Sequence, residues 1–387
     1  MAVDELDELI EFLADKRADA RAQAAEIVQG LTGSDDGVAR LASKSETLIP
    51  KLLHLMGKPS AESKPAATAL VNLTTASDIA TLAVEKGAVE RAMEFLRASP
   101  DAGGCPPDLL LSLLVNVTNT EGGVHVFSQE GKSLEGFFVM KLVQMLADAQ
   151  PAELYDHAAS VLTNVSRHPA GRRCFIDPSR GLVRAALPSM AGSASETRRV
   201  GVAAALRNCC VDDAGRSALL AAPGAGGSSA AAAAAKEIAV VGFGKDGASG
   251  ATEGGLEAVR ALLRPISAVK TAPERCDAVR QSCAEAVLGL AGSDAGRAAL
   301  AACDAPRLLK VGYGDEEHPE TMEAMEAAAE KFMLHGMVPA EMQPKDGIQR
   351  VEVVDDGEGG GAQGEEGEEE VEVVHGGPRP LLTPDVD

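Results

Sequence analysis

Four asparagines recur at nearly equal spacing along this chain of 387 residues, and their side chains could do chemistry together. They lie 44, 48 and 44 residues apart, at Asn72, Asn116, Asn164 and Asn208. An asparagine amide both donates and accepts hydrogen bonds, so a row of them could hold an extended peptide by its backbone. Alternatively, each amide could cap or bridge the backbone within its own repeat.

The position four residues before each asparagine carries a small side chain. The residues at this position are Thr68, Ser112, Ser160 and Ala204. Residues four apart in an α-helix lie on the same side of it, one turn from each other. If the repeats stack, the asparagines and the three hydroxyl residues form a ladder along one surface. We predict that this ladder is a protein-binding site.

The asparagines belong to a pattern that occurs six times. The residues at its anchor position are Gly30, Asn72, Asn116, Asn164, Asn208 and Gly289. The steps between anchors are 42, 44, 48, 44 and 81 residues, and the last step is one period plus an insertion. The residues six, three and two before the anchor, and the residue after it, are apolar in all six copies. These spacings place the apolar residues on one face of an α-helix.

Each such helix is followed by a turn that contains Gly, Ser or Asp, a short apolar segment, a glycine and a medium apolar segment. Three helices per period are typical of armadillo and HEAT repeats, whose units bury their apolar faces only against neighbouring units. The sequence therefore predicts an all-α, armadillo/HEAT-type, right-handed superhelical solenoid of about six to seven units. The asparagine ladder would line its concave surface.

Changes in composition divide the chain into five segments. We predict an N-terminal capping helix at 1–20, armadillo-like repeats at 21–220, an Ala/Gly/Ser-rich insertion at 221–254, a C-terminal repeat with capping helices at 255–340, and an acidic tail at 341–387. Residues 351–374 contain ten carboxylates and no Lys or Arg. Such a segment cannot bury enough apolar surface to offset its ordering entropy, so the tail is predicted to be disordered.

Composition and charge exclude several classes of function. The net charge of −22 argues against binding to a nucleic-acid backbone, which needs a basic stripe. No apolar run approaches the length of a membrane span, and the acidic N-terminal segment lacks the order of a signal peptide. The seven cysteines show no zinc spacing and are expected to be buried thiols of a reducing compartment. We therefore expect a cytoplasmic protein without metal or cofactor.

No catalytic constellation emerges from the remaining motifs. Gly242, Gly244 and Gly247 match a dinucleotide-binding pattern, but they lie in the low-complexity insertion and lack a surrounding βαβ unit. The seven histidines are scattered, and no nucleophile, base and orienting group can be proposed from their spacing. The chain is therefore not expected to be an enzyme.

Gly-Arg pairs follow three of the anchors. They are Gly171-Arg172, Gly215-Arg216 and Gly296-Arg297, where one helix turns into the next. An arginine at such a turn can link neighbouring units or donate hydrogen bonds to the terminal carbonyls of a helix. We interpret these pairs as structural rather than as ligand contacts.

Several of the repeat motifs together resemble the eukaryotic HGH family of armadillo-like proteins. The motifs are LVNLT, LLVNVTNTEGGVHVF, LTNVSRHPAGRRCFIDP and LGLAGSDAGRAALAACDAPRLLK, within residues 20–340. The resemblance implies a chaperone adaptor that helps translation elongation factor two to fold, together with the cytosolic chaperonin TRiC. The family has an acidic, proline-containing segment between its last two units, whereas this chain has Ala, Gly and Ser there.

A second function class stays open beside the folding adaptor. The chain could be a general armadillo scaffold, or an assembly or transport adaptor for another protein client. The absence of Trp counts against recognition of basic nuclear-import signals. In either class we expect a monomer that binds neither nucleic acid nor membrane.

Overall fold

The period of about forty-four residues corresponds to groups of three helices that recur along the chain. The computed structural model describes residues 4–97, 104–222, 251–267 and 274–337. A first helix, α1 (Glu5–Phe12), precedes six groups, and one further long helix follows them. Each group consists of a long, a short and a medium helix.

The long helices of the six groups contain the anchor residues. These six long helices are α2 (Ala18–Leu31), α5 (Ser60–Leu73), α8 (Pro107–Thr118), α11 (His157–Arg167), α14 (Glu196–Cys209) and α17 (Asp277–Ala291). The further long helix that follows the six groups is α20 (Pro319–Leu334). The short helices are α3 (Asp35–Ala42), α6 (Ser77–Glu85), α9 (Glu121–Ser128), α12 (Pro169–Ile176), α15 (Asp213–Leu220) and α18 (Asp294–Ala302). The medium helices are α4 (Ser45–Leu55), α7 (Ala88–Arg97), α10 (Phe137–Asp148), α13 (Leu182–Ala191), α16 (Glu253–Leu263) and α19 (Ala305–Tyr313).

The groups stack in chain order, because each long helix packs against the long helix of the next group. Every such helix is apolar on the side that contacts its neighbours, so no group buries its core alone. The stack places the anchor positions of successive groups next to one another. This is the arrangement that the repeat period predicts.

The medium helix of the fifth group is α16, which packs between α13 of the fourth group and α19 of the sixth. The extra residues of the longest step therefore lie within the fifth group, between its short and medium helices. The boundaries drawn from sequence place α16 in the C-terminal unit instead. Its contacts assign it to the fifth group, because it packs against the short helix α15 of that group and against the long helix α17 of the next, as the other medium helices pack against the long helix that follows them.

The repeated apolar positions form the core, with two exceptions in the first group. Of the 24 residues at these positions, all are buried except Ile27, which is 54% exposed, and Leu31, which is partly exposed. Among the described residues only α1 precedes the first group, so no complete group covers these two side chains. The repeated apolar face is thus partly exposed in the first group.

Within the four described ranges, no helix is long and apolar enough to cross a membrane. Three features predicted from sequence lie outside the described residues. They are most of the insertion at 221–254, including its Gly242, Gly244 and Gly247, the acidic tail at 341–387, and the first three residues of the capping helix at 1–20.

Candidate functional site

The four asparagines lie near the C-terminal ends of α5, α8, α11 and α14. Asn72, Asn116 and Asn164 are partly exposed, and Asn208 is buried. Because successive long helices pack side by side, the four side chains follow one another along the stack. We call these four residues the asparagine ladder, and we call the surface that they form with Thr68, Ser112 and Ser160 the ladder face.

Each amide nitrogen of the ladder donates hydrogen bonds to the preceding group. Asn116 Nδ2 lies 2.9 Å from the carbonyl oxygen of Val71 and 3.1 Å from Thr74 Oγ1. Val71 is the residue before the preceding anchor, and Thr74 is two residues after it. The asparagine therefore bonds the end of one long helix to the end of the previous one.

The same two acceptor positions recur at the next two junctions. Asn164 Nδ2 lies 2.9 Å from the carbonyl oxygen of Val115 and 3.4 Å from Thr118 Oγ1. Asn208 Nδ2 donates to the carbonyl oxygen of Thr163 at 3.2 Å and to Ser166 Oγ at 3.0 Å. At the first junction, Asn72 Nδ2 donates to Thr32 Oγ1 at 2.8 Å. The amides thus bond between repeats rather than within them, and at Asn116, Asn164 and Asn208 both amide hydrogens have acceptors.

The accepting hydroxyls are themselves held in place by their own helices. Thr74 Oγ1 donates to the carbonyl oxygen of Leu70 at 2.7 Å, and Thr118 Oγ1 donates to that of Leu114 at 2.6 Å. Each hydroxyl hydrogen is therefore used within the helix, while a lone pair accepts from the asparagine of the next group. A hydroxyl two residues after the anchor is the partner that a following asparagine requires.

The junction between the fifth and sixth groups has neither the asparagine nor the accepting hydroxyl group. The anchor there is Gly289, and the residue two after the preceding anchor is Cys210. A Cβ atom placed on Gly289 would lie 2.7 Å from the carbonyl oxygen of Cys210. The two long helices approach so closely that glycine is required at this anchor, and direct backbone packing replaces the amide bond.

The oxygen atoms of the ladder amides are available to solvent at three of the four positions. Asn208 Oδ1 accepts from Arg207 Nη2 at 3.4 Å. The Oδ1 atoms of Asn72, Asn116 and Asn164 accept no hydrogen bond from the described residues. None of the three atoms is among the fully buried side-chain atoms that lack a hydrogen-bond partner. These three oxygens can therefore accept hydrogen bonds from a ligand.

The hydroxyl residues one turn before the asparagines are all partly exposed. Thr68 Oγ1 donates to the carbonyl oxygen of Lys64 at 3.0 Å, and Ser112 Oγ donates to that of Asp108 at 2.8 Å. Ser160 is partly exposed on α11. Because Thr68 and Ser112 use their hydrogens within their own helices, they too offer only acceptor lone pairs to a ligand.

Uncharged residues precede the anchors in the second to fourth groups, and charged residues precede the anchors of the end groups. In the second to fourth groups, the residues just before the anchors are Val71, Val115 and Thr163, all partly exposed. In the first group, Glu26 stands at the position of Thr68. At the other end, Arg207 Nη1 and Glu285 Oε2 form an ion pair at 3.2 Å between the fifth and sixth groups.

The Gly-Arg pairs are structural, as predicted. Arg172 Nη1 donates to the carbonyl oxygens of Ser166 and Arg167, both at 3.1 Å, and its Nη2 lies 2.6 Å from Asp212 Oδ2 of the next group. Arg216 and Arg297 likewise donate to the last carbonyls of their long helices, at 2.8 Å each. The three guanidinium groups satisfy helix C-termini and do not form a ligand site.

A second recurring signal was not recognised from sequence. A side chain at the N-cap of four short helices accepts a hydrogen bond from the backbone nitrogen of a glycine three residues later; the pairs are Ser34–Gly37, Thr120–Gly123, Asp212–Gly215 and Ser293–Gly296. At each glycine a Cβ atom would overlap a carbonyl oxygen at the end of the long helix. The spacing of Ser, Thr or Asp three residues before Gly in the repeats could have indicated this capped turn.

The cysteines at the repeated positions are buried free thiols, as predicted. Cys209, Cys210 and Cys283 are buried. Burial raises the pKa of Cys210 to about 12, so its thiol is protonated at neutral pH. Across the described part of the chain, no three His, Cys, Asp or Glu side chains are grouped so that they could hold a metal ion.

Curated relatives match the chain over about half of its length. Residues 105–227 match a family model described as a domain of unknown function, DUF383. A Protein HGH1 homolog from Xenopus tropicalis is 32% identical over 212 residues, which are 52% of this chain and 56% of that protein. Proteins of the same name from Dictyostelium discoideum and Homo sapiens are 28% and 29% identical, covering 60% and 54% of their own lengths. The chain spans a little over half the length of these relatives.

Solved structures show the same architecture at low sequence identity. A designed armadillo repeat protein superimposes with a TM-score of 0.52 and 14% identity, covering 73% of this chain and 99% of that one. A second designed armadillo protein, solved in complex with the peptide (KR)4, matches with a TM-score of 0.52, 15% identity and coverages of 74% and 99%. The chain therefore has an all-α armadillo-type fold, and over about half of its length it is similar to proteins named Protein HGH1 homolog, in line with the resemblance of its repeat motifs.

Proposed function

We propose that this chain is a non-enzymatic adaptor that binds a protein client on the ladder face. The observation on which the proposal rests is the row of open amide oxygens at Asn72, Asn116 and Asn164 beside small hydroxyl side chains. A regular row of acceptors without a grouped set of titratable side chains suits recognition of a polypeptide rather than catalysis. The relation to the HGH family supports the same class of function.

Resemblance to the HGH family supports a more specific proposal about the client and its setting. We propose that the chain acts in the cytosol and helps translation elongation factor two to fold, together with the chaperonin TRiC. The alternative is a scaffold or transport adaptor for another protein client. Both alternatives use the ladder face, so they differ in the protein that is recovered and not in the residues that bind it.

The experiment is affinity capture from cytosol, followed by mass spectrometry. The variant must cover the ladder face without removing the asparagines, because their amides hold neighbouring groups together. Ser112→Arg with Ser160→Arg places two long side chains over the open oxygens. Thr81→Arg is the matched control, because Thr81 is an exposed helical residue on α6, away from the ladder.

Wild type and Thr81→Arg are expected to recover elongation factor two and chaperonin subunits, and the double variant is expected to lose at least about 90% of this recovery, a tenfold change. Circular dichroism establishes that all three proteins are folded. Equal recovery by the double variant would show that the client binds elsewhere. Enrichment of a different protein by the wild type would favour the alternative adaptor.

A further inference from the structure

We infer that the open side of α2 is a second interaction surface, which binds an α-helix of a partner protein that carries a basic residue. This surface lies at the first end of the stack and consists of Gln23, Glu26, Ile27 and Gly30, all of which are exposed. We call it the end face. It shares no residue with the ladder face, so the inference does not rest on the proposed function.

The end face is the side of α2 on which a preceding long helix would pack. Each long helix from α5 to α17 packs against both the long helix and the medium helix of the group before it. The first helix, α1, packs against α2 and α4, just as the medium helix α13 packs against α14 and α16. No long helix precedes α2 among the described residues. The first group therefore has the covering medium helix but lacks the covering long helix.

The side chain three residues before the anchor measures what the missing helix leaves open. In the first group this residue is Ile27, which is 54% exposed. The other five groups bury the same position completely, with the residues Ala69, Leu113, Val161, Ala205 and Ala286. Covering an exposed isoleucine is favourable, because apolar surface is removed from water. The end face therefore favours a packed helix over solvent.

The anchor Gly30 indicates how closely that helix approaches. Gly30 lies within α2, its φ is not positive, and a Cβ atom placed on it would meet no atom within 4 Å. Neither the backbone nor the packing of the described chain therefore requires glycine here. At the other glycine anchor, Gly289, a Cβ atom would lie 2.7 Å from the carbonyl oxygen of Cys210 on the preceding long helix. Gly30 likewise leaves room for a helix to pack as closely against α2 as α14 packs against α17.

The charge of the occupant follows from the residue four before the anchor. This residue is glutamate in both groups that have a glycine anchor, Glu26 in the first and Glu285 in the sixth. Glu285 Oε2 forms an ion pair at 3.2 Å with Nη1 of Arg207 on the preceding long helix. Glu26 is exposed and pairs with no described residue. The end face thus repeats the surface that receives α14, and it suits a helix whose Arg or Lys can reach Glu26.

Fluorescence anisotropy with a labelled helical peptide tests the inference. The first probe has the sequence of residues 196–210 with Cys209→Ser and Cys210→Ser, and a hydrocarbon staple between positions 201 and 205 keeps this short peptide helical. Gly201 faces α11 in the stack, since a Cβ atom on it would lie 2.6 Å from Ala159. The staple therefore leaves open the side that meets α17. The second probe is the same peptide with Arg207→Glu.

Both probes are titrated with the full chain and with its Glu26→Arg, Gly30→Leu and Glu94→Arg variants. Glu94 is an exposed carboxylate on α7, so Glu94→Arg is a control with the same change in net charge. Wild type and this control are expected to bind the first probe alike. Glu26→Arg should bind it at least about tenfold more weakly, because like charges then face each other. Gly30→Leu should weaken binding to a similar extent, because the added side chain prevents the close approach.

Reversing the charge on both sides should restore the complex. The Arg207→Glu probe is expected to bind wild type at least about tenfold more weakly than the first probe does, and to bind Glu26→Arg within about threefold of the original pair. A general effect of charge on the peptide or on the protein would not produce this recovery. Circular dichroism establishes that every variant is folded.

The absence of saturable binding, an equal affinity of Glu26→Arg for the first probe, or no recovery in the reversed pair would overturn the inference. Sedimentation of the chain alone provides a further test. A dimer that Gly30→Leu dissociates would assign the end face to a second copy of the chain and would also overturn the assignment to a partner helix. The Ser112→Arg, Ser160→Arg variant leaves the end face intact and is expected to bind the first probe as wild type does, which separates this surface from the ladder face.

Discussion

At the scale of single residues, the asparagine amides join neighbouring groups and are also the proposed contacts for a client. The nitrogen of Asn116 donates to Val71 and Thr74 of the preceding group, while its oxygen accepts no hydrogen bond from the described residues. A substitution at such an asparagine would remove the bond between groups together with any contact to a client. For this reason, loss of binding in an asparagine variant would not by itself identify a binding residue.

The structural role of the ladder is testable by stability. Asn116→Ala leaves the Val71 carbonyl and the Thr74 hydroxyl without their donor, and we expect it to lower the free energy of unfolding by about 1–3 kcal/mol. Asn119→Ala is the control, because Asn119 is exposed and only accepts a 3.5 Å bond from Arg167. We expect Asn119→Ala to change the free energy of unfolding by no more than about 0.5 kcal/mol. Urea unfolding followed by circular dichroism measures both, and an equal effect of the two substitutions would contradict the role.

At the scale of helices, the turn from the long to the short helix depends on a capped glycine. In the third group, Thr120 Oγ1 accepts from the backbone nitrogen of Gly123 at 3.1 Å. The glycine lies directly against the end of α8, at the carbonyl oxygen of Val117. Without a Cβ atom the short helix can cross this helix end closely, which sets the direction in which each group continues.

Two adjacent glycines of α9 separate this packing effect from helix propensity. Gly123→Ala would place a methyl group against the Val117 carbonyl, and we expect a loss of about 1–3 kcal/mol or more. Gly122→Ala has no atom within 4 Å of the added methyl group, so it should stabilise the helix by up to about 1 kcal/mol. Thermal unfolding of the two variants gives the sign of each change in stability. Stabilisation by Gly123→Ala would show that the turn can relax around the added methyl group.

At the scale of the whole molecule, the stack behaves as a line of groups with unlike ends. The apolar position three before the anchor is fully buried in Leu113 of the third group but 54% exposed in Ile27 of the first. Large apolar side chains at the same repeat position therefore contribute differently to stability, because the burial of each side chain depends on whether a neighbouring group covers it.

Deleting residues 345–387 tests whether the acidic tail contributes to this stability. Among the described residues, the buried cluster runs from Leu6 to Phe332, and all of it lies before the deleted segment. We expect the melting temperature to change by less than about 2 °C, because a segment rich in carboxylates adds no apolar burial. Differential scanning calorimetry of both chains provides the measurement. A decrease of several degrees would mean that the tail stabilises the stack.

The apolar period by itself determined the helices, their grouping in threes and the all-α stack. Positions such as Leu110 and Leu113 are set by spacing within one helix, so a local pattern suffices to place them. It also identified the asparagines as a row along one surface. The capped glycine turns were visible in the same repeats as a three-residue spacing, although their meaning depends on how closely two helices cross.

Only the tertiary structure decided which groups the asparagines contact and which atoms remain open to a ligand. Their acceptors lie between 40 and 49 residues earlier in the chain, in the preceding group. The closeness of helices from neighbouring groups also decides that glycine stands at the last anchor and that Ile27 is uncovered. These outcomes depend on contacts between groups, and a pattern read within one repeat has no information about them.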